Sequence, residues 1–455
     1  MNLKKREGFL RYLKWLYPNL KVKRWFILAV FGIFLFATGL SVMTDGVALG
    51  YIELQFREVI YRLTGSTQHI AVPTGAVISV LGIVTIIIGF KCMLYSIISS
   101  VLPKDEGKIV DVIYNRNHLA RGPKIVVIGG GTGLSTLLRG LKQYTCNLTA
   151  IVTVSDDGGS SGKLRDELGV QPPGDVRNCL VALADTEDIM DALFSYRFES
   201  GALENHSLGN LLLAGLTNTF GNFQKGIERV SKVFAIRGKV FPSTLEQVVL
   251  IADMEDGTRV DGETAIRVTE GKIKRVYLEP SVCHPLPEAL RALEEAELIV
   301  LGPGSLYTSV LPNLLVEGLR EKIRVVRAPC VYVCNVMTEK GETDGYRVSD
   351  HLKAILDHCG PGFVDAVLAN NGKITAPVMK RYVAEEAVPV ITDPRNVEQL
   401  GVKYFEANLV QIANVVRHDP DRLAKELIRL LFHWKRVGER IALVDSFLLN
   451  RKLRT

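Results

Sequence analysis

From Trp25 to Thr44 the chain runs for twenty residues without a charged side chain. Hydrocarbon offers no water to backbone amides, so a run of this length has one stable solution there: a helix that satisfies its own hydrogen bonds. At about 1.5 Å per residue it crosses a hydrocarbon core of about 30 Å. A second apolar run starts at Thr74 and continues past Lys91 to Val101, which puts Lys91 near an interface. Two spanning helices are expected, at 25–44 and 74–101. A cleaved signal peptide is the other reading of the first run. Ala48 and Gly50 imitate its cleavage site, but twenty apolar residues exceed a usual signal core. Neither run holds an acidic residue, which leaves a transport role little support.

Charge orients the pair. Residues 1–24 carry Lys4, Lys5, Arg6, Arg11, Lys14, Lys21, Lys23 and Arg24 against the single acid Glu7, whereas 45–73 carries only Arg57 and Arg62 as lysine or arginine residues. Lys104, Lys108 and Arg116 follow the second run. The positive-inside rule then places both termini and the main domain in the cytoplasm, with 45–73 outside. The expected location is the cell membrane, with lipid as the hairpin's partner. Net charge is +6 over 455 residues. Concentrated beside an apolar run, that charge indicates membrane orientation and no nucleic-acid partner. Seven cysteines without a C-x-x-C pattern read as reduced thiols of a cytosolic domain.

A polar linker, 102–123, leads into the remaining chain, 124–455. Ile125–Ile128 is a short apolar run of the kind buried on both faces of a sheet. Gly129, Gly130, Gly131, Thr132 and Gly133 follow, and an amphipathic helix starts near Ser135. Leu148–Val154 makes a second strand, completing a βαβ unit. Glycines there let backbone amides approach a phosphate, and the helix N-terminus adds a positive dipole end. The turn departs from G-x-G-x-x-G, because Leu134 stands where the last glycine belongs. A tight turn that merely packs helix on strand stays open.

The second strand ends in Asp156, Asp157, Gly158, Gly159, Ser160 and Ser161. An acid in that place reads a ribose hydroxyl, and two adjacent carboxylates can hold a hard cation such as magnesium against a diphosphate. A solvated loop with Ser161 as helix cap is the bland alternative. Asp175, Arg177 and Asn178 lie in the turn QPPGDVRN, where the arginine suits a bidentate clamp on phosphate or a structural pair with the aspartate. Ser207 is a plausible N-cap for the helix that carries Asn210. His206 has no second histidine at ligand spacing. A β insertion is expected at about 248–280, around the turn Asp256–Gly257. The strand Glu297–Leu301 runs into Gly302, Gly304, Ser305, Thr308 and Ser309, and Val331–Asn335 ends in Asn335. Strands ending in Gly, Ser, Thr and Asn clusters converge on one sheet edge, where α/β folds bind ligands.

In this order IGGGTGLS, TVSDDGGSSGKLR, PPGDVRN, HSLGN, LGPGSLYTSVLPN and N-x-M-T-x-x-G-E-T resemble the gluconeogenesis factor family, within the 2-phospho-L-lactate transferase (CofD)-like superfamily. The likeness spans over 300 residues and leaves the hairpin outside it. It implies an α/β Rossmann-like domain, a parallel sheet with helices on both faces, that binds UDP-N-acetylglucosamine or UDP-glucose. It also implies a link to cell shape, cell-wall homeostasis and gluconeogenic growth. By position, Gly129–Gly133 and Ser135 would cradle the diphosphate, and Asp156, Asp157 and Gly158–Ser161 the ribose or a magnesium ion. Asn210, Ser305, Thr308 and Asn335 would line the opposite wall. The superfamily's enzymes transfer phospholactate from a guanylated donor with magnesium. Three readings stand: a non-catalytic nucleotide-sugar sensor with no obligatory cofactor, a CofD-like transferase, and a dinucleotide-dependent oxidoreductase. No catalytic residue is assigned, and a homo-oligomer is compatible with the fold.

Overall fold

The computed structural model describes residues 22–44, 58, 62, 71–101, 119–374, 379, 387–412 and 416–438. They fall into two compact units, Met1–Arg116 and Asn117–Thr455.

In the first unit, helix α1 (Val22–Thr44) packs along helix α2 (Ala71–Val101). Their seam consists of glycines seven residues apart, Gly32 and Gly39 against Gly75, Gly82 and Gly89. A Cβ at Gly39 would stand 2.7 Å from the Gly75 carbonyl oxygen, and one at Gly82 only 2.5 Å from the Phe36 amide nitrogen. Side chains are thus excluded and the backbones touch, as they do where helices associate without a hydrophobic drive. Gly39 meets Gly75 while Gly32 meets Gly82, so the pair runs antiparallel. Lys23–Met43 and Pro73–Ser96 are long and apolar enough to cross a membrane, and their most apolar stretches are only 28% and 17% buried. A core helix of a water-soluble domain hides most of its surface; these expose Phe31, Phe34, Ile87 and Phe90.

The second unit is built on seven strands: β1 (Ile125–Gly129), β2 (Leu148–Val152), β3 (Lys239–Pro242), β7 (Leu298–Leu301), β8 (Cys330–Val333), β9 (Ala366–Asn370) and β10 (Lys403–Ala407). The intervening β4 (Val249–Met254), β5 (Arg259–Asp261) and β6 (Ile273–Glu279) form a separate antiparallel sheet, the insertion. The pair β11 (Val410–Ile412) and β12 (Val416–His418) closes the list of strands. The large sheet has the order β10-β9-β8-β7-β1-β2-β3, and every pairing in it is parallel. All its strand ends therefore point to one edge, as the Gly, Ser and Asn clusters require.

Side chains alternate across a strand, and β1 shows what that does here. Val126 and Ile128 enter one core with the insertion's Leu250 and Val276, while Ile125 and Val127 enter the other. The second core is covered by helices α3 (Gly131–Leu141), α5 (Gly174–Leu183) and α9 (Pro420–Gly438), with α4 (Gly159–Leu168), α6 (Leu208–Phe220), α7 (Glu263–Val268) and α8 (Val348–Cys359) between α3 and α9 in sequence. Both faces of the sheet are buried, so its strands carry continuous apolar runs.

Two local expectations change. α3 begins at Gly131, with Gly130 as extended N-cap, four residues before the expected Ser135; the glycines form the helix's first turn instead of a loop ahead of it. Ser161 does not cap α4, because Gly158 is the N-cap and Ser161 sits inside the helix.

Candidate functional site

β1 and β7 are neighbours, yet the chain leaves β1 for β2 on the other side. Their carboxyl ends mark the switch point of the sheet, where diverging turns leave a crevice. A cleft of about 710 Å³ lies there, of the size that holds a small organic ligand.

Its floor is the glycine turn, with Gly130, Gly131, Thr132 and Gly133 in the lining. Gly131 has φ +66°, a left-handed conformation that costs other residues about 1–2 kcal/mol. A Cβ at Gly133 would lie 2.5 Å from the Pro303 carbonyl oxygen, so the turns after β1 and β7 are pressed together. Gly304, Ser305, Ser309 and Asn335 line the same cleft, and the Gly304 amide donates to Asn335 Oδ1 at 3.3 Å. Gly129 and Gly302 belong to the strand ends beneath: Asn313 Nδ2 donates to the Gly129 carbonyl at 3.1 Å and the Gly302 amide to that of Ile128 at 2.8 Å. Ser135 Oγ donates to the Thr132 carbonyl within α3.

The walls are acidic. Asp156, Asp175, Glu263, Glu339 and Glu342 line the cleft together with Asn178. Burial pushes the Asp175 carboxyl up to about 6; the Gly131 amide donating to it pulls it back, and Asp156 raises it further. Burial raises Glu342 to about 7, with repulsion from Glu339 adding to the effect. Thr308 Oγ1 donates to Glu342 Oε1 at 2.9 Å and the Tyr307 amide to Oε2 at 3.3 Å, while Asn335 Nδ2 donates to Glu339 Oε1 at 2.9 Å. Ser305 Oγ also donates to Glu339. Thr308 thus acts behind the cleft, holding an acid that faces it.

The aspartates expected to act as a pair have separate tasks. Asp156 lines the cleft and accepts from the Gly158 amide at 3.0 Å. Asp157 Oδ1 accepts from the amide and hydroxyl of Thr264, on the insertion, at 2.9 and 2.6 Å. Among the described residues no group of three or more His, Cys, Asp or Glu is arranged to hold a metal. Gly158, Gly159, Ser160 and Ser161 lie outside the lining as well. Ser161 Oγ accepts from the Gly174 amide at 3.2 Å, and Ser160 Oγ shares a hydrogen bond of 3.0 Å with His206 Nδ1 and accepts from Asn210 Nδ2 at 3.2 Å. Ser207 caps α6 as expected, accepting from the Asn210 amide at 3.3 Å. Arg177 donates to Ser207 Oγ at 2.7 Å and to Asn178 Oδ1 at 2.9 Å. It fixes a residue of the lining, and in this arrangement neither clamps the cleft nor makes a direct hydrogen bond to Asp175.

The profile of the family described as 2-phospho-L-lactate transferase CofD matches residues 125–410. A gluconeogenesis factor of Bacillus subtilis is 48% identical over 315 residues, which cover 69% of this chain and 99% of that protein. The chain belongs to the gluconeogenesis factor family. A family relative from Clostridium acetobutylicum is 39% identical over 453 residues, 98% of this chain and 97% of its own, so that match takes in the N-terminal hairpin. A crystal structure of a Bacillus halodurans protein, 52% identical, superposes with a TM-score of 0.66 and covers 68% of this chain and 100% of that one.

Several residues that line the cleft carry no site assignment from the sequence. Glu339 and Glu342 stand in the segment MTEKGET directly after Asn335, and their place behind a strand end was the available signal. Arg417 and His418, at the end of β12, also line the cleft; burial holds the His418 ring down to about 4, so it is neutral near pH 7. Glu263 and Arg267 come from the insertion, and no motif announces them.

Proposed function

We propose that the cleft binds a nucleotide sugar, UDP-N-acetylglucosamine or UDP-glucose, and that the chain is a membrane-tethered regulatory protein of cell-shape and cell-wall homeostasis during gluconeogenic growth. The observation that carries this reading is the glycine turn forming the first turn of α3 at the switch point. First-turn amides have no helical acceptor and favour an anion such as a diphosphate. The surrounding acceptors on Asn178, Asn335, Glu339 and Glu342 suit the many hydroxyl donors of a ribose and a sugar. The length and apolar faces of α1 and α2 support the tether, and the basic residues flanking them support a cytoplasmic domain.

A CofD-like transferase is the second reading. Asp175, in contact with the Gly131 amide and raised to about 6, is the kind of group that exchanges a proton near neutral pH. With magnesium bound, the ion would neutralise charge on a diphosphate. Asp156, which lines the same cleft, offers a second carboxylate for that purpose.

Titration calorimetry on the full chain in detergent separates the readings, with UDP-N-acetylglucosamine, UDP-glucose, GTP and NAD as ligands, with and without magnesium. Preference for a UDP-sugar recovered unchanged supports the sensor. Tight GTP or NAD binding, or consumption of the ligand, overturns it.

A further inference from the structure

The insertion enters the cleft through one short helix. α7 presents Glu263 and Arg267 one turn apart, and both belong to the lining. Three contacts hold the insertion there, two of them on α7 itself. Thr264 is held by Asp157, the Arg165 guanidinium donates to the Val248 carbonyl at 2.7 Å, and a Cβ at Gly341 would meet the Arg267 carbonyl oxygen at 2.9 Å.

Each of the two side chains is left incomplete. Glu263 Oε2 is buried without a hydrogen-bond partner, although it lines a cleft. A buried unpaired carboxylate oxygen is costly unless something donates to it. Burial and the charges of Asp156, Asp175 and Glu342 push this group well above the usual carboxylate range. Arg267 is more than half exposed, its Nε 4.0 Å from Glu342 Oε1, too long for a hydrogen bond. Yet its charge lowers the proton affinity of Asp175, Glu263, Glu339 and Glu342 alike. Lys340 and Arg417 also line the cleft, and Arg267 is the cation that the insertion adds to them against these acids.

We infer that α7 is the specificity element of the cleft, with Arg267 meeting a phosphate of the ligand and Glu263 accepting a hydrogen bond from one of its hydroxyl or amide N–H groups. This rests on the nucleotide-sugar reading and deepens it. The α/β core supplies the amide cradle with Lys340 and Arg417, and the insertion adds a further positive charge for an anion and the acceptor that selects a donor-bearing one. Arg267 is free to change partner because its contact with Glu342 is long.

The test is titration of the full chain in detergent with UDP-N-acetylglucosamine at low and high salt, with melting temperature measured alongside. Arg267→Ala is expected to weaken binding about tenfold or more, the scale of one lost charged contact, and to flatten its salt dependence; Arg267→Lys restores most of both. Glu263→Met removes the carboxyl acceptor at similar volume. It is expected to weaken binding about tenfold while leaving the melting temperature of the empty protein unchanged or higher, and Glu263→Gln, which keeps an acceptor, recovers much of the affinity. Wild-type affinity and salt dependence in Arg267→Ala overturn the inference. So does a Glu263→Met variant that binds normally, or one that loses affinity only in step with stability. A wild-type chain that binds no UDP-sugar overturns the nucleotide-sugar reading itself, and α7's assignment falls with it.

Discussion

Asp157 and Thr264 are 107 positions apart in sequence and joined by two hydrogen bonds to one oxygen, from the threonine amide at 2.9 Å and its hydroxyl at 2.6 Å. That joint ties the loop after β2 to the helix of the insertion. It gives the second aspartate of a motif-like loop a fastening task at one wall of the cleft.

The joint predicts a specific defect. Thr264→Val removes the hydroxyl and keeps the amide, and is expected to cost about 1 kcal/mol. Amide hydrogen exchange should rise in α7 and β4–β6 while the seven-stranded sheet stays protected. Uniform protection across the insertion would show that its apolar contacts alone hold it.

The glycine turn predicts a separation of fold from binding. Gly131→Ala places a side chain at φ +66° and is expected to cost about 1–2 kcal/mol, leaving a folded protein with weakened UDP-sugar affinity. Gly133→Val drives a branched side chain into the Pro303 carbonyl and should abolish binding with a larger loss of stability. Undiminished affinity in Gly133→Val would make the turn a packing feature only.

The buried acids predict a pH signature. Glu342 titrates at about 7 in the folded chain, above the ordinary carboxylate value of about 4.3 in an unfolded one. The folded state therefore holds a proton that the unfolded state releases. Its contribution favours folding at low pH and declines as pH rises through about 7. Asp175 acts in the same sense through about 6. Buried His351, His358 and His418, whose charged forms are disfavoured, act in the opposite sense at acid pH. The clean observable is thus a difference: Glu342→Gln should gain melting temperature over wild type between pH 6 and pH 8. A constant gap across that range would contradict the assignment.

The hairpin predicts a backbone-limited contact. Gly39→Leu places a side chain where the Gly75 carbonyl stands 2.7 Å from the first added carbon, and should split α1 from α2. Unfolding of the hairpin in detergent should shift to lower temperature in the variant than in the wild-type chain. The tether itself predicts that alkaline washing leaves the full chain in the membrane fraction. Its release would remove the membrane reading.

Much of this molecule is legible locally. Trp25–Thr44 announces a helix because uncharged length admits no other backbone solution in hydrocarbon, and Ile125–Ile128 followed by glycines announces a buried strand and its turn. The parallel order of the sheet then brings the clusters after β1, β2, β7 and β8 to a common edge. What went unread in the cleft has a common origin. Asp156 and Asp157 are adjacent and chemically identical, so no pattern tells which one faces the cleft. Ser160 and Asn210 have the polarity of ligand-binding residues, yet Ser160 Oγ accepts from Asn210 Nδ2 and shares a hydrogen bond with His206 Nδ1 outside the cleft lining, and Asn210 Oδ1 is buried without a hydrogen-bond partner.

The chain's own sequence determined the hairpin, the strands and the glycine turn, since each depends on neighbours within a few residues. Tertiary structure decided which acids line the cleft, and that Glu263 and Arg267 belong to it. A loop side chain points toward whichever partner satisfies it, and for Asp157 that partner arrives only when the insertion folds back from 107 residues away.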